Sequence, residues 1–513
     1  MKHRFTFLIA LLLAPLAFSL AAETKRPNVL LVLYDDMSAN QCSAYGGSSI
    51  QTPNFDKLAR EGILFKNGYC SAPSCAPARA AILTGKNFWE LEQGAFIQAW
   101  FPSKFVTLTE RLSAAGYRTG YTGEGWGPGV REPGKPKRDP VGPVFNDILK
   151  IMEDREECIS PVAYDGNFQK FLDTGDTNAP FFFWAGIREP HRPNGKDNDV
   201  KLAKAGYPTE AMKVPPFLPD TLGIKKEIAK YEYASRDCDI SLGKLLKVLE
   251  ARGLVEDTIV IVTGDNGMDV PRAKAALWHW GLHVPYAIRW PARINTPGRT
   301  VDDMVNHIDY APTILEAAGI PLPKEMTGKS LLPIFDSPKS GQVDATREFT
   351  VGGLEWHGKQ NAGRTILDQR FQYIVNYSTD TLYTFRPDLK VPLSDESHEQ
   401  NAAKLDIHGF INGYAHRPEV APYAAPIFGP RAAEELYDLD KDLGELNNLA
   451  EKPDYAAVKD RMRKALFSYL AATQDPRATG DMALFNETSA WVQSRKDSGY
   501  ADTASKGAKV KHP

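Results

Sequence analysis

Four polar residues follow two apolar segments of the chain, and their types suit metal binding. Asp35 and Asp36 come after residues 28–34, and Asp265 and Asn266 come after residues 258–263. In open parallel sheets, ligands bind beyond the carboxyl ends of the strands, so these groups are expected at one sheet edge. Three carboxylates gathered there would repel one another without a cation, and oxygen ligands favour Ca²⁺, or Mg²⁺, over zinc. The alternative is that each pair caps a neighbouring helix or turn.

A second motif places a cysteine close to an arginine: Cys75-Ala76-Pro77-Ala78-Arg79, followed by Leu83-Thr84-Gly85. The chain has five cysteines and no Cys-x-x-Cys pair. An odd number in an exported protein raises the question of a special thiol. The alternative is a set of buried free cysteines. In that case Cys75 precedes a helix that begins at Pro77 or Ala78, and Arg79 lacks an evident partner.

This motif resembles the signature of the formylglycine-dependent (type I) sulfatases of the alkaline phosphatase superfamily. The signature is Cys or Ser, any residue, Pro, any residue, Arg, and then Thr-Gly five residues later; the match is complete except that Ala78 replaces the usual second Ser. The resemblance implies that a formylglycine-generating (maturation) enzyme oxidises Cys75 to formylglycine. It also implies that the residue at position 75 is both the nucleophile and a metal ligand.

Further segments resemble the same family, in the family's order along the chain. The two polar pairs match its calcium ligands, with position 75 as another. Residues 189–193 resemble its Pro-His-x-Pro loop, which implies that His191 faces the sulfate, and Lys274 matches a second cationic sulfate ligand. Residues 280–285 and 288–291 are most similar to the branch related to heparan N-sulfatase, which many bacterial glycan sulfatases share.

The C-terminal part of the chain also resembles this family. Residues 435–439 and 444–449 are similar to its C-terminal subdomain, and residues 328–333 form a common sulfatase segment. The latter contains Gly328-Lys329-Ser330, but it is not a phosphate-binding P-loop, because Pro323 stands where the first glycine must be. The resemblance therefore covers nearly all of the mature chain.

The residues that match the family imply a mechanism for hydrolysis of a sulfate ester. Arg79, His191 and Lys274, together with the cation, neutralise the sulfuryl oxygens as charge shifts. One hydroxyl of the formylglycine hydrate, activated by the metal and by Asp265, attacks sulfur, and the second hydroxyl later allows sulfate to be expelled. His191 or Lys274 protonates the leaving group.

The residues expected to bind the sugar include one departure from the family. Glu124 stands where related sulfatases commonly carry Lys, and Trp126 stands where many carry His. Glu124 is expected to hydrogen-bond a sugar hydroxyl with Trp126 stacking nearby, or to pair with a cation such as Arg192 or Lys274. A weakened site is the alternative. Arg192 is assigned to substrate binding as well.

A compact aromatic and imidazole cluster follows Lys274: Trp278, His279, Trp280 and His283. Aromatic rings suit the apolar faces of sugars, so His279 and His283 are assigned to the substrate site. The alternative is that the cluster packs in the core around the start of a strand.

The elements that must position these groups alternate between strands and helices. Apolar runs at residues 28–34, 181–185 and 258–263 are typical of strands buried on both faces. Helical spacing predicts helices at residues 225–252, 308–318 and 455–472. Together with the resemblance, this predicts an α/β fold, with a large mixed, mostly parallel sheet flanked by helices (alkaline-phosphatase-like) and a smaller α+β C-terminal subdomain. The long segments 123–142 and 190–219 are expected to be loops that wall the site.

The 513 residues are expected to divide into four parts. Three basic residues, an apolar run at residues 5–20 and two alanines predict a cleaved signal peptide at residues 1–22, with an uncleaved anchor helix as the alternative. A catalytic domain at residues 23–363 and a C-terminal subdomain at residues 364–490 precede a tail at residues 491–513. The last helix predicted, at residues 455–472, is expected to close the ordered chain.

Composition and the N-terminus together restrict the partners. The formal net charge is -3, so no global basic excess indicates nucleic acid. A cleaved signal peptide predicts a periplasmic or secreted protein with no membrane contact after cleavage. The expected partners are a sulfated carbohydrate substrate and the maturation enzyme.

Three other functions compete with that of a glycan sulfatase acting on sulfate esters. One is an N-sulfoglucosamine-type sulfamidase, because the residues do not distinguish O-sulfate from N-sulfate. Another is a phosphoester or phosphonate hydrolase of the same superfamily, but the members with two zinc ions need several histidine ligands, and the polar pairs contain none. The last is an inactive glycan-binding relative, which the intact Cys75 and Arg79 disfavour.

Overall fold

The computed structural model describes residues 26–379 and 407–497. The predicted signal peptide and residues 498–513 of the predicted tail lie outside the described residues. The strands of the main sheet are β1 (Asn28–Asp35), β2 (Ile63–Tyr69), β3 (Arg118–Gly123), β4 (Phe181–Pro190), β5 (Thr258–Gly264), β6 (Tyr286–Arg289) and β7 (Arg299–Asn306). Their order is β3-β4-β1-β5-β6-β2-β7, and β6 alone runs antiparallel to its neighbours β5 and β2. The predicted mixed, mostly parallel sheet is therefore confirmed.

The central strand β1 shows why the sheet is covered on both faces. Its side chains alternate between two cores: Val29, Leu31 and Leu33 enter one, and Leu30, Val32 and Tyr34 enter the other. A continuous apolar run is what a parallel strand with helices on both sides requires. The paired strands β4 and β5 are buried in the same way along their first residues.

Helices cover the two faces of this sheet. The first face carries α2 (Cys75–Thr84), α3 (Leu108–Ala114), α8 (Tyr310–Ala317) and α9 (Leu332–Asp336). The second face carries α1 (Pro53–Arg60), α4 (Tyr164–Leu172) and the long α6 (Leu222–Ala251). The other helices of this part are α5 (Asn198–Lys204) and α7 (His279–Leu282). Short 3₁₀ helices include Phe88–Ala95, Thr209–Ala211 and His307–Asp309.

A second, antiparallel sheet forms the C-terminal part of the fold. Its strands are β8 (Thr350–Trp356), β9 (Gln360–Leu367), β10 (Phe371–Asn376) and β11 (Glu434–Asp438), in the order β11-β10-β9-β8. Between β10 and β11 lie α10 (Ile407–Gly413) and α11 (Ala421–Phe428), and after β11 come α12 (Ala456–Ala472), α13 (Pro476–Thr479) and α14 (Ala483–Asp497). Residues of this sheet and of α12 share a core with Phe88 and Trp89, which follow α2. The second sheet therefore packs beside the helix that carries Cys75.

Two predictions about where loops and helices lie along the chain are wrong. The segment 190–219 is not a plain loop, because it contains α5 and the 3₁₀ helix Thr209–Ala211. The helix at Ala456–Ala472 does not close the ordered chain, because α14 runs on to Asp497 and buries Phe485 and Val492 in the C-terminal core. Within the described residues, none of the helices combines the length and apolarity needed to cross a membrane.

Candidate active site

Neighbouring parallel strands bring the acidic pairs to one edge of the main sheet. Strand β1 ends at Asp35, and β5, which pairs with it, is followed directly by Asp265. Acceptor atoms of Asp35, Asp36 and Asp265 and the sulfur of Cys75 all lie within 4.8 Å of one another. The convergence predicted from the strand ends is confirmed, and all four residues are buried.

Cys75 enters this cluster from the N-terminus of α2. The helix begins at Cys75 itself, and not at Pro77 or Ala78 as the alternative interpretation of this motif had it. The Cys75 Sγ atom lies 3.6 Å from Asp35 Oδ1. At the first position of a helix, the residue lies where backbone N–H groups point outward and favour negative charge.

Arg79, one turn further along α2, is held between the carboxylates of two strands. Its Nη2 atom lies 3.0 Å from Asp35 Oδ1 and 2.8 Å from Asp265 Oδ2. Its Nη1 atom donates to the carbonyl oxygens of Gly125 and Gly127, at 3.2 Å each. Arg79 thus has partners on three elements, and it fixes the loop after β3 against the cluster.

Two further basic side chains, Lys274 and His191, face Asp36 from other loops. Lys274 Nζ donates to Asp36 Oδ2 at 2.6 Å, and both side chains are buried. His191 Nε2 lies 3.7 Å from the same oxygen. The Arg192 carbonyl, 2.5 Å from His191 Nδ1, only accepts hydrogen bonds, so Nδ1 carries a proton and Nε2 is the atom directed at the site.

Burial disfavours the charged form of every group in the cluster, yet the pKa values of the three carboxyl groups shift in different directions. Burial would raise the pKa of Asp35, but the nearby Arg79, together with His191 and Lys274, outweighs burial and holds that pKa below its usual value. Burial, and then the charge of Asp35, raise the pKa of Asp265 to about 8. Burial also raises the pKa of Asp36, although Lys274 opposes the rise. Positive charge thus outweighs burial only at Asp35, and a further cation would favour the charged forms of Asp36 and Asp265.

The donor atoms of this cluster fit a hard divalent cation. Asn266 Nδ2 donates to Asp36 Oδ1 at 2.8 Å, which leaves its buried Oδ1 atom without a hydrogen-bond partner among the described residues. Asp36 adopts a left-handed backbone with φ of 70°, and its N–H donates to Asp265 Oδ1. Clustered carboxylate oxygens and an unpartnered amide oxygen are suitable ligands for Ca²⁺.

Glu124 follows β3 directly, and its backbone is tightly held. Its N–H donates to the Gly186 carbonyl at 2.8 Å, and its carbonyl accepts from Trp184 Nε1 at 2.9 Å. A Cβ on Gly186 would lie 1.9 Å from the Glu124 carbonyl oxygen, so only glycine allows this approach. The Glu124 carboxylate acts electrostatically on Arg79, which places Glu124 beside the cluster.

The expected pairing of Glu124 with Arg192 or Lys274 is not what the structure shows. Lys274 is already paired with Asp36 at 2.6 Å. Arg192 lies between Glu227, at 3.5 Å, and Asp269, whose carboxylate is 3.7 Å away. Lys274 and Arg192 are each already paired with other carboxylates, so neither forms the expected ion pair with Glu124.

Trp126 packs against residues near the candidate active site. Its Nε1 atom donates to the Ala76 carbonyl at 3.1 Å, and its ring stacks on Phe101 with centroids 5.6 Å apart. Trp126 therefore ties the loop after β3 to the first turn of α2. The surface left for a sugar is the part of the ring that these contacts do not cover.

His279 and His283 lie in the packed interior, and the structure favours the core-packing alternative for them. The rings of both contact Tyr69, and each side chain is only 7% exposed. His283 Nε2 is bonded to the Lys66 carbonyl at 2.8 Å. Burial lowers the pKa of His283 to about 4, so its ring is neutral near pH 7. Their assignment to substrate binding is thus corrected: these imidazoles support the segment after Lys274.

The structure adds a residue that sequence reasoning missed. His357, in the turn after β8, lies close enough to Lys274, His191 and Asp269 to interact with them electrostatically. Its Nδ1 atom is 3.0 Å from Ser74 Oγ, on the residue before Cys75. A single histidine in a Trp-His-Gly segment, far along the chain from every motif, carries no sequence signal for this position.

The fold and this site define an α/β enzyme of the alkaline-phosphatase-like class, with a helix-terminal cysteine set among carboxylates and cations. The chain belongs to the sulfatase family, whose members hydrolyse sulfuric esters: the family model described as Sulfatase matches residues 27–320. A second model, N-sulphoglucosamine sulphohydrolase, C-terminal, matches residues 273–394. The family predicted from the cysteine motif is confirmed.

Curated relatives match most of the chain. An ulvan-active sulfatase of Formosa agariphila is 28% identical over 478 residues, which cover 89% of this chain and 82% of the relative. The human N-sulphoglucosamine sulphohydrolase is 26% identical over 490 residues, which cover 88% of this chain and 91% of the relative. The similarity therefore includes both sheets.

Solved structures share the fold at low sequence identity. One, in complex with its substrate D-glucosamine-2-N,6-O-disulfate, superposes with a TM-score of 0.64 and 20% identity over 88% of this chain and 99% of that chain. The phosphonate monoester hydrolase of Agrobacterium radiobacter superposes with a TM-score of 0.60 and 19% identity over 88% of this chain and 97% of that chain. Together they support the alkaline-phosphatase-like architecture.

A divalent cation such as Ca²⁺, if held by this cluster, is expected to stabilise the protein more at high pH than at low pH. Between its ordinary value of 3.8 and about 8, the raised pKa of Asp265 means that the folded protein binds more protons than the unfolded chain. The free energy of unfolding without cation therefore falls as pH rises through this window. Because the cation replaces that proton, the gain in Tm from Ca²⁺ should be larger at about pH 8 than at about pH 5.

Differential scanning calorimetry with and without Ca²⁺ at the two pH values measures this difference. A cation at about one hundred times its Kd contributes ~2.7 kcal/mol. The Asp265→Asn variant is the control, and it should lose most of the pH dependence of the gain. An equal gain at both pH values, or none at either, would show that the cluster does not hold the cation.

Proposed function

We propose that this sulfatase removes sulfate from a sulfated oligosaccharide or polysaccharide, using formylglycine made from Cys75 and a bound Ca²⁺ ion. The observation that carries the proposal is the setting of Cys75. Burial raises the pKa of its thiol well above the usual value, although Lys274 opposes the rise, and nearby carboxylates add to it. Since the thiolate is the nucleophilic form, an unmodified Cys75 is a poor nucleophile here.

The modified residue supplies what the thiol lacks, namely two hydroxyl groups on one carbon when its aldehyde is hydrated. Asp265, which lies in the same buried cluster as Cys75, is placed to accept the proton of the attacking hydroxyl. Arg79 and Lys274 lie on two sides of the cluster and neutralise the sulfuryl oxygens. Calcium, when bound by Asp35, Asp36, Asp265 and Asn266, supplies Lewis acidity to the same oxygens.

His191 and Lys274 are the groups that can protonate the departing sugar oxygen. His191 is partly exposed, with its Nε2 atom towards Asp36, so it lies between the cluster and solvent. Lys274 is buried. Because His191 is more exposed than Lys274, we assign protonation of the leaving group to His191 and stabilisation of the sulfate charge to Lys274.

The relatives support a glycan as the substrate. The curated relatives include ulvan-active sulfatases, an N-sulphoglucosamine sulphohydrolase and an N-acetylglucosamine-6-O-sulfatase of Bacteroides thetaiotaomicron. We propose export to the periplasm or beyond the cell, after removal of residues 1–22, and conversion of Cys75 by a maturation enzyme.

A second candidate is hydrolysis of an N-sulfate. The match of residues 273–394 to the N-sulphoglucosamine sulphohydrolase C-terminal model favours it, because that segment contains Lys274 and His357. The reaction differs only in the leaving atom, which is nitrogen instead of oxygen, so the same residues serve both.

A substrate panel tests the proposed function. Release of inorganic sulfate or phosphate is measured from O-sulfated and N-sulfated oligosaccharides, a small aryl sulfate and matched phosphate and phosphonate esters. We expect the largest kcat/KM on a sulfated oligosaccharide. Preference for a phosphate or phosphonate ester would contradict the proposal, and turnover confined to N-sulfate would select the second candidate.

Glu124 is proposed to select the substrate, not to bind sulfate, since a carboxylate repels that anion. Glu124→Lys and Glu124→Gln should change the ratio of kcat/KM between sulfated oligosaccharides by about tenfold or more, because a hydrogen bond to a charged group contributes ~1.5–3 kcal/mol. A small aryl sulfate is the control substrate, and its turnover should change little. If Glu124→Lys raises activity on every substrate alike, the natural site is merely impaired.

A further inference from the structure

The second sheet reaches the active site at the turn between β8 and β9. His357 lies in this turn and is 4% exposed, and its N–H donates to the Lys359 carbonyl at 3.0 Å. Its Nδ1 atom is 3.0 Å from Ser74 Oγ. Because Ser74 directly precedes Cys75, one side chain of the C-terminal sheet contacts the residue adjoining the nucleophile.

The Ser74 side chain does not cap α2 in the usual way. It occupies the N-cap of α2, where a Ser side chain usually accepts a hydrogen bond from a backbone N–H of the first turn. Here it makes no such bond. Pro77, the third residue of the helix, has no N–H to offer. The Ser74 hydroxyl instead joins α2 to His357.

Backbone contacts make the segment before Cys75 part of the same junction. The N–H of Gly353, in β8, donates to the Ser71 carbonyl at 3.1 Å. The N–H of Ala275, next to Lys274, donates to the Pro73 carbonyl at 2.8 Å. The segment leading to Cys75 is thus held by backbone bonds to β8 and to the Lys274 loop, and the Ser74–His357 bond adds a side-chain contact at the residue before Cys75.

We propose that His357 is a positioning residue for the reaction: through its Nδ1 contact with Ser74 it fixes the first turn of α2 and so holds residue 75 against the metal ligands. The expected effect of His357 on kcat rests on the proposed function. Burial, with the nearby charge of Lys274, lowers the pKa of His357 to about 3. The ring is therefore neutral near pH 7 and keeps this contact independent of pH there.

Isosteric substitutions separate the two ring nitrogens. An Asn side chain places its amide atoms near the position of Nδ1, a Gln side chain places them near Nε2, and Phe fills the space without either. We expect His357→Phe and His357→Gln to lower kcat about 10²-fold with KM little changed, as for misplacement of a reacting group by about 1 Å. His357→Asn should retain most of the activity.

Ser74 provides the second arm of the experiment. Ser74→Ala should lower kcat as much as His357→Phe, and the double variant should be no worse than either single variant, since the two side chains act through one bond. Peptide mass spectra over residue 75 for every variant separate a positioning effect from a failure of Cys75 maturation, and rates are compared per modified site.

A binding measurement keeps the test independent of turnover. Calorimetric titration with Ca²⁺ should show affinity weakened about 10- to 100-fold in His357→Phe and unchanged in His357→Asn, because outer partners orient metal ligands. Wild-type protein without turnover on any sulfated substrate would refute the proposed function alone. Unchanged Ca²⁺ affinity and kcat in His357→Phe, additive losses in the double variant, or rescue by Gln instead of Asn would overturn the role of His357.

Discussion

Replacing Cys75 with Ala is expected to reduce kcat on the best sulfated substrate by about 10⁶-fold, the loss seen when the nucleophile of a covalent mechanism is removed. The side chain is buried at the start of α2, with its sulfur 3.6 Å from Asp35. Ala fits there without new contacts and retains the helix, so the fold should persist.

Cys42→Ala is the matched control for this loss. Cys42 is also buried and free, and it lies in the core between the sheet and α6, where it contacts Met37. Both variants lose one buried sulfur, so their changes in Tm should be comparable, whereas Cys42→Ala should keep turnover within a few-fold. Residual turnover of Cys75→Ala near that of wild type would place the nucleophile elsewhere.

Lys274→Ala and His191→Ala are each expected to lower kcat by about 10²–10³-fold, since one preorganised charge or hydrogen bond at a transition state contributes on that scale. The two variants should differ in a second property. This property is Tm. Lys274 is the closest cation to Asp36 and is buried, so its removal leaves that carboxylate short of positive charge and should lower Tm. His191 is partly exposed, so its removal should leave Tm nearly unchanged.

The leaving group separates the roles of these two cations. With an aryl sulfate that carries a good leaving group, His191→Ala should recover much of its activity, because little proton transfer is then needed. Lys274→Ala should not recover, because sulfate charge must still be neutralised. Lys86→Ala is a control, since Lys86 is partly buried and paired with Glu90 at 3.4 Å. Near-normal turnover in both variants would show that the sulfate pocket is misplaced.

Strand ends allowed the metal cluster to be predicted from sequence. Asp35 and Asp265 each follow an unbroken apolar run, and such runs form adjacent parallel strands whose carboxyl ends share an edge. His191 follows β4, which pairs with β1 on its other side, so it lies at the same edge. Local periodicity and the strand-end rule were sufficient for the two polar pairs, whereas Cys75, His191 and Lys274 were predicted from the resemblance to the family.

Contacts between distant segments were not predictable in the same way. The pairing of Arg192 with Glu227 depends on how α6 packs against the loop after β4. The burial of His283 depends on its bond to Lys66, far earlier in the chain. His357 reaches Ser74 only because the second sheet packs beside α2. None of these contacts has a periodic or local signal, since each is decided by tertiary packing.

The most direct test of the central claim is the mass of the peptide spanning residue 75, measured on protein whose sulfate-releasing activity is known. Protein is produced with and without a formylglycine-generating enzyme, and the modified fraction is compared with kcat per molecule. Formylglycine has lost sulfur and two hydrogens and gained one oxygen relative to cysteine. We predict that activity rises in proportion to the modified fraction and vanishes when it is zero. Full activity from protein that retains an unmodified Cys75 would contradict the account.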